Sequence, residues 1–157
     1  MRHKKVGKRQ IEQDLVYKNT LVAQFTNYLM KSGKKAVAQS VLYRAFDILS
    51  KKDKDPILVF EKAIQNVGPK LEVKARRVGG ASYQIPIEIR GDRRTSLAMR
   101  WIIQAAKARS NKEFHHFSEK LAAEFMDAGE NKGEAIKKRD NVFRMAQANR
   151  AFAHFRW

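Results

Sequence analysis

Apolar residues recur every three or four positions along most of the chain, and only once give way to strict alternation. The first periodic run carries Leu21, Val22, Phe25, Tyr28 and Leu29 behind a possible cap at Asn19 or Thr20, and should stop near Gly33. A second, over about 35–50, buries Val37, Val41, Ala45, Ile48 and Leu49. Asp55-Pro56 pairs an N-cap acceptor with a proline whose missing N–H costs nothing there, and opens a third helix with Leu58, Val59, Ala63, Ile64 and Val67. Gly68-Pro69 ends it. From about 92 to 109 the apolar face is Leu97, Ala98, Trp101, Ile102 and Ala105. Ser110 and Glu113 have capping-box spacing before a helix with Phe114, Phe117, Leu121 and Phe125 that closes at Gly129. Asn131 and Glu134 repeat that box before a last helix over roughly 132–150, whose stripe is Ala135, Ile136, Val142, Phe143 and Ala146.

The alternation falls between the third helix and Gly91. Leu71, Val73 and Ala75 alternate with Glu72, Lys74 and Arg76, and Tyr83, Ile85, Ile87 and Ile89 alternate with Gln84, Pro86 and Glu88. Around Gly79-Gly80 this predicts a hairpin at about 71–90 with arms near 8 residues, roughly 26 Å long. A lone hairpin is marginal in water, so its apolar base must lean on helices while its tip projects. The fold class expected is mainly α: a single domain of about six helices with a protruding two-stranded β-ribbon between the third and fourth. Residues 1–18 lack periodicity and read as a basic arm, leaving 19–157 as the helical domain.

Charge changes the picture. The 157 residues hold 33 Lys+Arg against 16 Asp+Glu, a formal net charge of +17. The excess is not spread evenly: residues 1–35 carry +7, 70–109 carry +7 and 137–157 carry +5, separated by stretches of +1 and −3. Surfaces that merely stay soluble mix the signs, so three single-sign blocks point to a polyanionic partner. The 43% hydrophobic content argues against a disordered polybasic tail. No stretch is long and apolar enough to span a bilayer, and the basic start runs into Glu12 and Asp14 instead of an apolar signal core. No membrane association and no homo-oligomer are expected.

Within the blocks some cations are placed usefully. Arg93, Arg100 and Lys107, spaced by seven, line up opposite the apolar face of their helix and make a ridge that can follow a phosphate backbone. The ridge follows directly on Arg76, Arg77 and Arg90 of the ribbon. Arg76 and Arg77 point to opposite faces of their strand, so one is available to phosphate while the other lies against the protein or a second strand of nucleic acid. On the last helix Lys137 and Arg144 oppose the stripe, whereas Arg139 and Arg150 fall on it, either snorkelling past the core edge or making a contact. Phe152, Phe155 and Trp157 can pin the terminus to its own core or stack on bases. The cluster Arg2, Lys4, Lys5, Lys8 and Arg9 reads as an arm that orders on meeting phosphates.

Catalytic chemistry finds no support. The chain has no Cys, and His3, His115, His116 and His154 lack metal-ligand spacing. Gly33-Lys34-Lys35 lacks the upstream glycine and hydroxyl of a phosphate loop. No nucleophile–base constellation is visible, so neither enzymatic activity nor a cofactor or metal is expected. A basic ribbon on a helical body suits an architectural protein with arms in a DNA minor groove. It also suits a protein embedded in folded RNA. Dispersed charge, able to join several RNA elements, favours RNA.

The stretch VKARRVGGASYQIPIEI (73–89), then Arg93-Arg94 and LAMRWI (97–102), resembles the signature of the bacterial-type seventh protein of the small ribosomal subunit. The end, Lys137-Lys138-Arg139 and RMAQANRAFAHFRW (144–157), resembles that family's C-terminus, and the similarity runs from residue 17 to 157. The resemblance implies six helices with a ribbon between the third and fourth. It further implies binding to ribosomal RNA of the 3′ major domain early in assembly, and nucleation of the subunit head. The family's ribbon reaches the subunit interface near exit-site tRNA and mRNA, and its last helix approaches neighbouring small-subunit ribosomal proteins. Carried onto this chain, the ribbon residues are Arg76, Arg77, Gly79, Gly80, Ser82 and Tyr83. By the resemblance the RNA-facing body takes in Lys34, Lys35, Arg93, Arg94 and the arm, and the helix-face spacing and the ribbon add Arg76, Arg77, Arg100, Lys107, Lys137 and Arg144 to the expected rRNA-binding set. Departures from the family pattern are Asp14-Leu15-Val16-Tyr17, where Asp-Pro is common, Phe143 in place of a polar His, and Phe155 in place of Tyr. The implied location is a cytoplasmic ribosome, with an organellar one as the alternative.

Overall fold

The computed structural model describes residues 10–52 and 55–155. It is mainly helical: α1 (Thr20–Leu29), α2 (Lys35–Ser50), α3 (Pro56–Val67), β1 (Leu71–Val78), β2 (Ala81–Glu88), α4 (Gly91–Ala108), α5 (Phe117–Gly129), α6 (Glu134–Ala148) and a terminal 3₁₀ helix (Arg150–Phe155). The expected mainly α class holds, with the two-stranded ribbon between α3 and α4. No helix is long and apolar enough to cross a membrane among the described residues. The chain divides into two compact units, one ending at Ser40 and the other beginning at Val41, within α2.

In the first unit Asp14 organises a turn. Its carboxylate accepts from the N–H groups of Val16 and Tyr17, and its carbonyl from Lys18. Asn19 then caps α1 by accepting from the N–H of Leu21 at 2.8 Å. The helix ends at Leu29, four residues before Gly33, and the turn into α2 uses positive φ at both Ser32 and Gly33.

The second unit is built on apolar faces. Phe46, Phe60 and Phe125 are fully buried, with ring centroids 5.4–6.2 Å apart and the Phe60 pairs edge-on, a favourable quadrupole geometry. Asp55 caps α3 as its sequence demands, accepting from Ile57 and Leu58. From α3, Asn66 donates to the carbonyls of Ala128 and Gly129, satisfying the open end of α5.

Two helix starts differ from the sequence expectation. α5 begins at Phe117, not after Ser110. Glu119 accepts from the N–H groups of His115 and His116, so His116-Glu119 is the working box and Ser110-Glu113 is not. Phe114 lies before the helix, its ring 5.8 Å from the Arg109 guanidinium carbon. α6 begins at Glu134 after Gly133 (φ +93°), while Asn131 sits in a left-handed turn. The capping acceptor comes instead from α5: Glu124 Oε1 accepts from the N–H of Ala135 at 3.1 Å.

Candidate nucleic-acid interface

The ribbon is regular. Leu71 pairs with Glu88 and Val78 with Ala81, and Gly79 (φ +58°) and Gly80 (φ +91°) supply the two left-handed positions that a two-residue hairpin turn requires. Its base is held: Ile85 and Pro86 are buried. Its tip is open, with Lys74, Arg76, Arg77, Gly79, Gly80 and Ser82 all exposed. Arg77 Nε donates to the Gly80 carbonyl at 3.3 Å, bracing the turn from within. Arg76 is paired across the strands with Tyr83, and cross-strand partners share a face. The Tyr83 ring packs on Phe152 and Phe155, at 5.0 and 5.6 Å between centroids. These aromatics therefore pin the terminal 3₁₀ helix to the ribbon, while Arg77 and Ser82 share the other face. Trp157 lies outside the described residues.

The α4 ridge is real but unequal. Arg93, Arg100 and Lys107 are all exposed, with successive members about 10 Å apart along the axis at 1.5 Å per residue. Arg93, however, is paired with Glu72 at 2.7 Å. Burial alone would push the Glu72 carboxyl up, but hydrogen bonds from Arg93 and Lys74, with their charges, hold it below the usual range. The Glu72 bond in turn raises Arg93. Arg100 Nε donates to the Ser96 carbonyl, and Lys107 has no partner among the described residues. Arg94 is half-buried: Nε donates to the Gly68 carbonyl at 3.0 Å and Nη2 to that of Gln65 at 3.2 Å, fastening α4 to the end of α3.

On α6, Lys137 is exposed and bonded to Glu134 at 2.6 Å, which raises its pKa. Arg144 donates to Asn141, one turn away. Arg139 resolves toward the core edge: Nη1 donates to the Asn66 carbonyl at 2.7 Å and the rest of its guanidinium pairs with Asp140. Phe143, expected in the buried stripe, is instead 45% exposed. In the first unit Lys34 and Lys35, exposed and without partners among the described residues, stand at the start of α2. Cations oppose the macrodipole there, an arrangement that an arriving phosphate relieves. Arg2, Lys4, Lys5, Lys8 and Arg9 lie outside the described residues. No cluster of three or more His, Asp or Glu with metal-holding geometry occurs among the described residues.

Residues 1–150 match the family model described as ribosomal protein S7p/S5e. The chain is 55% identical over 157 residues to small ribosomal subunit protein uS7 of Sorangium cellulosum, covering 99% of each. It is 53% identical to the uS7 of Syntrophus aciditrophicus over 99% of each chain, and 53% identical to that of Thermotoga neapolitana over 100% of each. The chain belongs to the ribosomal protein S7p/S5e family. It is a structural, rRNA-binding component of the small ribosomal subunit and not an enzyme.

Membership in the S7p/S5e family explains why so much of the positive charge stays on the surface, yet part of the charge is structural. Arg109 is the clearest case. Its guanidinium donates to the fully buried Glu124 at 2.6 and 2.8 Å, and to Asp127. Burial works against the Arg109 charge, but the bonds to Asp127 and Glu124 outweigh it and raise its pKa. Lys120 is also buried, with Nζ donating to the Arg109 carbonyl and Asn111 Oδ1. Neither residue stands apart in the sequence. The only hint is that the acidic stretch 110–136 directly follows Arg109.

Proposed function

We propose that this protein binds ribosomal RNA of the 3′ major domain of the small subunit, nucleates folding of the subunit head, and carries its ribbon to exit-site tRNA and mRNA. The observation that carries the reading is the ribbon: a base with buried Ile85 and Pro86, and an exposed tip bearing Arg76, Arg77 and Ser82 around a diglycine turn. The tip adds nothing to a core and offers donors at a distance from it. The RNA-facing body takes Lys34 and Lys35 as one anchor, the α4 ridge with Arg93, Arg94, Arg100 and Lys107 as a second, and Lys137 and Arg144 as a third. The arm at residues 1–18 adds phosphate contacts, and the last helix faces neighbouring ribosomal proteins. Recognition is by phosphate and 2′-OH contact and by RNA shape, since A-form grooves do not admit side-chain readout of base pairs. The ribosome in question is the bacterial cytoplasmic one, in keeping with the relatives. Footprinting on small-subunit RNA tests the reading. Protection inside the 3′ major domain is expected, and protection confined to other regions overturns it. Deleting residues 78–82 should leave that footprint in place and disturb only exit-site function. Loss of the footprint on deletion would mean that the ribbon is the primary anchor.

A further inference from the structure

A groove of about 610 Å³ lies among the end of α3, the start of β1, α4 and α6. Its lining includes Lys62, Gln65, Lys70, Arg94, Arg139 and Phe143. Phe143 and Leu71 also wall a second, apolar trough of about 270 Å³, completed in part by Pro86 and Ala146. The Phe143 ring thus separates a cationic groove from an apolar one. Lys62 and Lys70 are exposed and make no hydrogen bond or ion pair among the described residues. Arg94 is held by the carbonyls of Gly68 and Gln65 through Nε and Nη2, which leaves Nη1 to an incoming group. The groove's one lining carboxylate, Asp140, is already neutralised by Arg139 at 2.7 Å.

We infer that this groove is a binding site for a single unstacked nucleotide of looped or single-stranded RNA. The base lies against Phe143, the flanking phosphates meet Lys62 and Lys70, and Arg94 acts as a donor fixed in advance by the backbone. The chemistry is complementary at each point. Two unpaired ammonium groups supply mobile positive charge, an exposed ring supplies a stacking face for any base, and the volume falls within the range of small-ligand clefts. An acidic peptide satisfies the cations equally well but has no special use for a flat ring over an aliphatic one. That difference makes Phe143 the discriminating position. The inference rests on the RNA-binding reading above and adds a location that the charge blocks alone do not indicate.

The test titrates the full chain with an RNA tetranucleotide carrying 2-aminopurine, whose fluorescence is quenched on stacking. Footprinting on the 3′ major domain is run in parallel, with a hexaglutamate peptide as competitor. Quenching should survive Phe143→Tyr, and Phe143→Leu should weaken binding by up to about 5- to 150-fold, the value of one base–aromatic stack. The pair Lys62→Gln and Lys70→Gln should lower the salt slope by roughly 1.4, as for two single-strand phosphates. Phe143 is exposed, so these variants should retain the wild-type melting temperature, which is checked for each. Wild-type binding by Phe143→Leu overturns the inference, as does quenching that disappears only with Arg100→Gln and Lys107→Gln. Full competition by hexaglutamate at equal affinity overturns it in favour of a peptide groove. If the footprint persists while the groove variants are neutral, the groove alone fails. If the footprint is absent, the RNA-binding reading fails with it.

Discussion

Replacing Glu124 should destabilise this protein more than any surface substitution. The carboxylate is 0% exposed and serves three elements at once. Oε2 accepts from Arg109 at 2.8 and 2.6 Å just past the end of α4, Glu124 itself is on α5, and Oε1 caps α6 through the N–H of Ala135. Gly133 cannot take over the cap, since it has no side chain. A Cβ placed there would stand 3.0 Å from Glu124 Oε1, so the two positions fit each other. Breaking a buried ion pair from one side typically costs about 3–5 kcal/mol, because the partner charge is left uncompensated. Losing a cap costs about 0.5–2 kcal/mol. The terms do not add, and Asp127 stays to hold part of the Arg109 charge. About 3–5 kcal/mol is therefore expected for Glu124→Ala, a fall in melting temperature of roughly 6–20 °C for a chain of this size. Glu124→Gln keeps the Oε1 acceptor but turns an amide toward the guanidinium, and should fall between Ala and wild type. Urea unfolding followed by circular dichroism reads both. Lys137→Ala is the control: its pair with Glu134 is solvent-exposed and screened, so its loss should leave the unfolding midpoint close to wild type. Equal effects of Glu124→Ala and Lys137→Ala would refute the reasoning.

Arg100→Gln with Lys107→Gln should lower the slope of log affinity for small-subunit RNA against log salt by roughly 1.8, the value for two duplex phosphates, and an unchanged slope would make the ridge plain solvated surface. Phe152→Ala should loosen the ribbon, because an aromatic pair contributes about 0.5–1.5 kcal/mol beyond its buried area. Amide exchange in β2 near Tyr83 should then quicken several-fold, and unchanged protection there would mean that the 3₁₀ helix does not brace the ribbon. Glu119 is held below the usual glutamate range by the N–H of His116, then by that of His115 and the nearby imidazoles. A depressed carboxyl stabilises fully above its ordinary range and loses that contribution as pH falls through the depressed value. The amide resonances of His115 and His116 should accordingly shift at a pH below that at which free glutamate titrates, and a midpoint at or above that range contradicts the box.

What the residues announced and what they hid divides by range of interaction. Asp55-Pro56, Gly79-Gly80 and the α4 face were legible because each is decided within a few neighbours: a cap acceptor beside a fixed φ, two positive φ values in succession, a periodic apolar stripe. The start of α5 was not legible, because Ser110-x-x-Glu113 and His116-x-x-Glu119 have the same spacing. Lys120, drawn to the Arg109 carbonyl and Asn111, helps hold residues 109–111 as a loop and leaves the later box to act. Helical spacing put Phe143 in the core, but spacing reports a direction around an axis and not whether a neighbour is present there. Counting charge failed in a similar way. Arg93, Arg94, Arg109, Arg139 and Lys137 look like Lys34, Lys35 and Lys107 on paper, yet the first group has protein acceptors and the second has none among the described residues.

That division sets which cations matter for RNA and in what manner. A phosphate reaching Arg93 competes with Glu72, so it gains only the excess of its own attraction over an existing pair, and exposed pairs are worth little in water. On the proposed reading, a phosphate reaching Lys34, Lys35 or Lys107 displaces only solvent and counterions, so those side chains should account for the salt-dependent affinity. The paired arginines do something else. Held in one geometry by Glu72, Gly68 and Gln65, Arg93 and Arg94 present fixed donors at the first turn of α4, where the helix dipole also favours an anion. Ordering cost is then met by folding, before any RNA arrives. On the proposed RNA-binding reading, free lysines should set how strongly the protein is held to a polyanion, and the anchored arginines where on its surface the RNA backbone is held.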